Sequence, residues 1–331
     1  MQRRGKRAAG AFHLPLRAPA AYGEAMRTVR QPPFARLAAT ACAALAALCA
    51  GCASLADRAP VGPAGAQAFS QRCTDWDEWD KPAPPFRIHG ETWYVGTCGI
   101  ASILVAGDGA HALLDSGTTQ GALLVAANLP VTGHEPGDVG ALLVSHEHHD
   151  HVGGMAFLQS LTGAPVIAGK EAVPVIRSGE LDIRDPQKAS LEGMAPVTGE
   201  VRAIADGETI AVGGRRFTAI ATPGHTRGAL SWQWQECAGA DCVSIVYADS
   251  LSPVSAEGYR FSDHPELLAA YRAGLDKLRA LDCDILLTPH PSASKMIERI
   301  GGGSLRGGMT CAAYADSIEA RLEARLAEEA K

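Results

Sequence analysis

The sequence predicts an α/β fold in which two β-sheets pack face to face with helices on their outer sides. Three observations lead there. Strand-like runs followed by helix-like runs occur twice along the chain. The 331 residues, 47% of them hydrophobic, are ample for one large core and sit at the upper edge of a single α/β domain. Aromatic residues make up 5%, which suits an Ala-, Gly- and Leu-rich α/β core better than a carbohydrate-binding or base-stacking surface. The formal charge of -6 supplies no basic footprint, so nucleic acid is not an implied partner.

The N-terminal 53 residues read as a signal-peptide region outside the fold. Arg27, Arg30 and Arg36 precede an apolar run over residues 38–50, which has signal-peptide length and is too short to persist as a spanning helix. Gly51, Ala53 and Ser54 supply small residues behind it, and Met26 is read as the true start. Cys49-Ala50-Gly51-Cys52 resembles a bacterial lipobox with Cys49 where Leu is usual. The alternatives are a lipid anchor on Cys52 or ordinary cleavage nearby, and both place the mature chain in the periplasm. Residues 54–85, rich in Pro, Ala and Gly, read as an N-terminal extension, a tether docking late onto a single domain over 86–331.

Within that domain Thr92–Gly96, Ile100–Ala106 and His111–Asp115 read as strands, the last two joined through Gly107-Asp108-Gly109 as a hairpin. Thr119–Asn128 reads as a helix capped near Ser116 or Thr118. Ala141–Ser145 is a short buried strand, and Gly154–Leu161 is the next helix. The second half repeats the theme. Thr209–Val212 and Phe217–Thr222 flank the Gly213-Gly214 turn, and Ala229–Gln235 and Val243–Ala248 form the next strand pair. Pro265–Leu281 places Leu267, Leu268, Tyr271, Leu275 and Leu278 on one helical face. Ile285–Thr288 is a strand and Ala312–Glu329 a charged C-terminal helix. A monomer is expected, since no exposed apolar helix stands out.

Nine cysteines agree with export. Cys42, Cys49 and Cys52 fall in the signal region, leaving Cys73, Cys98, Cys237, Cys242, Cys283 and Cys311. Six cysteines allow about 15 pairings and the sequence does not choose among them. Proximity favours Cys237–Cys242 across the turn Ala-Gly-Ala-Asp, with Cys73–Cys98 and Cys283–Cys311 following by order. Such bonds belong in an oxidising compartment. A cysteine metal site is the weaker reading, because no C-x-x-C pair is left in the mature chain.

The chemistry concentrates in His146-Glu147-His148-His149-Asp150-His151, an H-x-H-x-D-H run that leaves the C-terminal end of the strand Ala141–Ser145. Three imidazoles and a carboxylate at this spacing can serve two metal ions from one loop, which points to a hydrolytic dinuclear site. Two further histidines follow strands in the same way, His225 in Thr222-Pro223-Gly224-His225-Thr226 and His290 in Thr288-Pro289-His290-Pro291. A histidine between two prolines has little backbone freedom, which suits a preorganised ligand.

With these segments, the chain from about Trp93 onward resembles the metallo-β-lactamase superfamily, and more narrowly its subclass B3. The supporting stretches are Trp93-Tyr94-Val95-Gly96-Thr97, Ser145 to His151, Pro223 to Thr226, Tyr247-Ala248-Asp249-Ser250-Leu251-Ser252 and Leu287 to Pro291. The resemblance implies a four-layer αββα sandwich, two mixed β-sheets flanked by helices, with the histidine loop at one edge of the sheets. It implies that His146, His148 and His225 bind a first Zn²⁺ and that Asp150, His151 and His290 bind a second. It also implies a subclass-typical disulfide at Cys283 and Cys311. The expected activity is hydrolysis of the β-lactam amide of penicillins, cephalosporins and carbapenems by a metal-bridging hydroxide that Asp150 orients, conferring antibiotic resistance. His148, where di-iron relatives carry Glu, argues against oxygen chemistry.

The remaining polar residues divide less sharply. His149 should point away from the metals, since its neighbours point toward them. Asp115 either holds a histidine tautomer or simply turns the chain before Gly117. Ser250 and Ser252 bind substrate, or form a plain polar turn. Asp249 is placed behind the ligands, although many hydrolases of the wider fold bridge their metals with a carboxylate near this point. Arg227 contacts substrate anions or is an exposed arginine, and His89, His111, His134 and His264 are surface or turn histidines. Gly179–Ser190 and Thr92–Gly99 are expected to form lips over the groove. The rival functions are another exported hydrolase on the same scaffold (thioesterase, lactonase or phosphodiesterase) and a non-catalytic zinc-binding surface protein.

Overall fold

The computed structural model describes residues 63–331. The signal-peptide region, the start at Met26 and the candidate acylation site at Cys52 lie outside the described residues. Among the described residues no helix is long and apolar enough to cross a membrane.

The first sheet has seven strands in sequential order: β1 (Phe86–His89), β2 (Thr92–Tyr94), β3 (Ile103–Val105), β4 (His111–Leu114), β5 (Val139–Leu143), β6 (Val166–Gly169) and β7 (Val201–Ile204). β1 to β4 form an antiparallel meander, and β4 to β7 run parallel. Parallel pairs need crossovers. These contain α2 (Thr119–Thr132) between β4 and β5, then α3 (His149–Val152) and α4 (Met155–Thr162) before β6, and α5 (Ala172–Ser178) before β7. The second sheet, in the order β12-β11-β10-β9-β8, comprises β8 (Thr209–Val212), β9 (Arg215–Ala221), β10 (Leu230–Ala238), β11 (Asp241–Tyr247) and β12 (Ile285–Leu287). Its first four strands are antiparallel, and β12 joins in parallel after α6 (Pro265–Arg279). α7 (Met296–Gly301) and α8 (Cys311–Glu329) close the chain.

Strand alternation builds four layers. Ala112 and Leu114 of β4, Ala141 and Leu143 of β5, and Trp232, Trp234, Ile245 and Tyr247 of the second sheet share one buried core between the sheets. The intervening Leu113 and Leu142 face the other way, into a core shared with Val125 and Leu129 of α2 and Leu158 of α4. Likewise Val246 and Leu286 pack outward on Tyr271 and Leu275 of α6 and Ile318 and Leu322 of α8. This is the expected αββα sandwich, built from the period of two in each strand and the apolar stripe on each helix.

Three details depart from the sequence reading. The stretch read as a tether is, from Pro63 onward, packed into the fold: α1 (Pro63–Arg72) inserts Phe69 into the core between the sheets, with its ring 5.1 Å from Phe86 and 4.8 Å from Tyr94. Helix α2 runs past Asn128 to Thr132, carrying Pro130 in its last turn, and ends on Gly133 in the left-handed region. Strand pairing in β5 stops at Leu143 instead of Ser145 because the chain there turns toward the other sheet. Trp232 Nε1 donates to Val144 O at 2.9 Å, and Leu230 N donates to Ser145 O at 2.7 Å. Among the described residues the disulfides are Cys73–Cys98, Cys237–Cys242 and Cys283–Cys311, the pairing favoured by proximity and order.

Candidate metal centre

The seam between the sheets is where the histidine loops meet. β5 delivers residues 146–151, the turn after β9 delivers His225 and the turn after β12 delivers His290. His148 precedes the single helical turn α3, which holds Asp150 and His151. That turn lies tightly on α2, where a Cβ at Gly154 would come within 2.1 Å of the Ala122 side chain. His225 follows Gly224, whose φ of +151° is open to glycine and whose missing side chain makes room for the Tyr271 ring.

Two groups of side chains converge. The rings of His146, His148 and His225 stand 4.8 to 5.0 Å apart, at steep angles to one another, and all three are buried. Asp150 lies between two more imidazoles, its Oδ2 3.0 Å from His151 Nε2 and 3.3 Å from His290 Nε2. Ligand-capable atoms of His146, His148 and His225, and those of His146, Asp150 and His151, each lie within 4.8 Å of one another. His146 thus stands between the two groups, while His290 approaches from the half-exposed side.

One nitrogen of each ring in the first group is held from behind. His146 Nδ1 is 2.8 Å from Asp249 Oδ1, His225 Nδ1 donates to Ser252 O at 2.8 Å, and His148 Nε2 is 3.0 Å from Asp185 Oδ2. Holding one nitrogen sets the tautomer and aims the other into the site. His146 Nε2 is buried without a hydrogen-bond partner, and so are both nitrogens of His151, whose approach to Asp150 is close but poorly aligned. Buried imidazole nitrogens left this way cost free energy unless a ligand completes them. Burial, together with the neighbouring His146 and His148, pushes His225 down to about 3. Burial and the nearby His151 and His148 hold His146 well below the usual imidazole range. Neutral rings offer lone pairs. Burial alone would raise Asp150, but His151 and His290 outweigh it and hold the carboxyl well below its usual range.

Other sequence expectations sort themselves against this frame. His149 turns away, its ring 5.4 Å from Trp79. Asp115 sits behind His151 at 3.4 Å, but its oxygens are taken by Ser145 N, Ser145 Oγ and Tyr247 Oη. Its left-handed φ of 55° is one that Asp tolerates. Ser250 and Ser252 both line the cleft beside His225 and His290. Arg227 is half-buried with its Nε shielded from solvent, so it is not the exposed arginine that was one of its two readings. Of the two expected lips, Gln187 of the first lines the cleft. The second does not, because Trp93 and Tyr94 of β2 and the following Val95 are buried. Trp76 and Trp79 take that place, on a segment fixed at its start by the Cys73–Cys98 bond.

Sequence reasoning missed two buried carboxylates. Asp185 holds His148, and Glu147 accepts from Thr226 Oγ1 at 2.8 Å and Gly228 N at 3.0 Å, tying the first histidine loop to the His225 loop. Burial pushes the Glu147 carboxyl up to about 7 despite those donors.

Residues 95–237 match the sequence profile of the metallo-beta-lactamase superfamily. The solved structure of the MIM-2 metallo-beta-lactamase is 55% identical, covering 80% of this chain and 98% of that one with a TM-score of 0.75. MEM-A1, a subclass B3 metallo-beta-lactamase from a soil metagenome library, is 38% identical, covering 76% of this chain and 99% of that one at a TM-score of 0.74. The chain belongs to subclass B3 of the metallo-β-lactamases. Similarity reaches the hydroxyacylglutathione hydrolase of Erwinia tasmaniensis more narrowly, at 38% identity over 92 residues, and the chain spans 28% of that protein's length. Within the metallo-β-lactamase frame, Asp249 points at the back of His146, and its other oxygen accepts from Leu251 N.

Proposed function

We propose that this chain is an exported zinc enzyme that hydrolyses the amide bond of β-lactam antibiotics. The observation that carries the reading is the pair of convergent donor groups at the seam, on a chain that matches subclass B3 enzymes over most of its length. His146, His148 and His225 form an all-imidazole set for one Zn²⁺, and Asp150, His151 and His290 a mixed set for a second. Three ligands per ion of these types suit zinc and leave a coordination position open. The unpartnered buried nitrogens of His146 and His151 fit the same assignment. Bound zinc supplies Lewis acidity toward the substrate carbonyl and acidifies water at neutral pH.

The protein's own contributions follow from the geometry. Asp150, held ionised at the cleft floor, accepts a hydrogen bond from the attacking water and orients it. Asp249, Asp185 and Ser252 O fix the three rings so that no reorganisation is needed as charge develops. Ser250 and Ser252 face the same cleft and offer hydroxyls to the substrate carboxylate. Trp76 and Trp79 give one wall an apolar surface for the substrate body. Three disulfides support an oxidising periplasmic home.

The test is turnover of a carbapenem and a chromogenic cephalosporin by the purified mature protein, with chelator and after zinc is restored. Activity lost with chelator and regained with zinc is expected. Full zinc occupancy with no turnover of either compound would overturn the proposal and shift weight to thioester, lactone or phosphodiester substrates.

A further inference from the structure

We infer that Arg321, from the C-terminal helix, is the cationic anchor for the substrate's carboxylate and sets this enzyme's preference for anionic β-lactams. The inference rests on the β-lactamase reading above. Among the described residues, Arg321 is the one arginine or lysine that lines the cleft, beside Ser252 and His290. Its surroundings separate it from an ordinary surface cation. Other arginines of the two packed helices are matched with carboxylates: Arg272 with Glu323, Arg279 with Asp316 and Glu319, and Arg325 with Glu329. Among the described residues Arg321 has no carboxylate within ion-pair distance, and its Nη2 donates instead to Ser252 Oγ at 2.9 Å.

The helix that carries it is held in register with the site. Cys311 at its first turn is bonded to Cys283, and Thr310 caps it through Ala313 N. Tyr314 Oη donates to Ser250 O at 2.7 Å and to Asp249 O at 3.1 Å, so the helix clamps the turn that carries both serines. Arg321 stands seven residues further on, about two helical turns along the same face. Ile318 and Leu322 bury the flanks of that face. The guanidinium is therefore delivered by a rigid element, with most of its five donors unspent, into the same cleft as the buried Ser250 hydroxyl that lacks a partner. A planar, permanently charged fork beside two hydroxyls is a carboxylate receptor.

The test compares wild type, Arg321→Ala and Arg321→Lys on a chromogenic cephalosporin as its free acid and as its neutral methyl ester, with zinc content and melting temperature checked for each. For the free acid, Arg321→Ala is expected to raise KM about tenfold, with kcat changed less than about threefold. Its KM for the ester should stay within about twofold of wild type, and Arg321→Lys should recover part of the free-acid affinity. Equal KM losses for acid and ester would mean that Arg321 merely supports Ser252, and unchanged KM for both would remove its role; either overturns the inference. If wild type turns over neither compound, the β-lactamase reading itself falls and this inference with it.

Discussion

Asp249→Asn tests whether the residues behind the histidines set metal affinity. Asp249 and His146 are both fully buried and meet at 2.8 Å. Asparagine keeps the shape and can still accept from Nδ1–H, so the hydrogen bond survives while its charge is lost. A charge-assisted bond contributes about 1.5–3 kcal/mol, roughly twice a neutral one, so the change costs about 1–1.5 kcal/mol. The new amide would also face Leu251 N–H, which now donates to Oδ2 at 3.3 Å, and that adds a small repulsion. Together these predict about a ten- to thirtyfold loss of affinity at the His146, His148, His225 site, at the lower part of the range for such supporting contacts. The Asp150, His151, His290 group has no hydrogen bond to Asp249 among the described residues and should lose less affinity. Competition against a chromophoric chelator reads both sites, with circular dichroism confirming the fold. A loss under twofold, or equal weakening of both sites, would refute the reasoning.

Phe69→Ala should destabilise the domain by about 3–5 kcal/mol in urea unfolding, because the ring is fully buried against Phe86 and Tyr94; a change under 1 kcal/mol would make α1 an accessory. His149→Ala should keep the wild-type metal content by elemental analysis, since its ring faces Trp79, away from the donor groups, and a lower content would contradict that placement. Glu329 gives a pH prediction. Burial opposes its charge, but Arg325 and the backbone N–H groups of Ser262 and Phe261 hold the carboxyl down to about 2 from an ordinary 4.5. The folded value lies below the unfolded one, so its contribution is present above pH 4.5 and disappears as pH falls toward 2. The melting-temperature gap between wild type and Glu329→Gln should therefore close over that interval, and a gap constant with pH would contradict it.

The candidate metal centre is legible because its donors announce themselves locally. H-x-H-x-D-H follows an apolar strand, and His225 and His290 sit in Pro- and Gly-bearing turns after two others. What supports those donors was not legible. Asp185 lies 37 residues from His148 on a loop of ordinary polar composition, and only the tertiary fold brings them together. Short elements were missed for a different reason. β6 is four buried residues, Val166–Gly169, and a run that brief carries no period to tell strand from helix. α1 looked like a tether because its Ala- and Gly-rich sequence has one large apolar side chain, Phe69, and the fold needs only that one to dock it. The second lip was misplaced because Trp93 and Tyr94 are aromatic core, whereas the exposed aromatics Trp76 and Trp79 precede the first strand.

The seam between the sheets also governs when the site comes into being. The bonds that define it close long stretches of chain: 79 residues from Glu147 to Thr226, 88 from Val144 to Trp232, 103 from His146 to Asp249 and 132 from Asp115 to Tyr247. Such closures carry their entropy before any contact rewards them, which predicts that they form late in folding. An ion that binds only the assembled seam then acts as a clasp between two half-structures, adding about 4 kcal/mol at a thousandfold excess over its dissociation constant. By that linkage, the supply of such an ion would govern the stability of the folded chain as well as its activity.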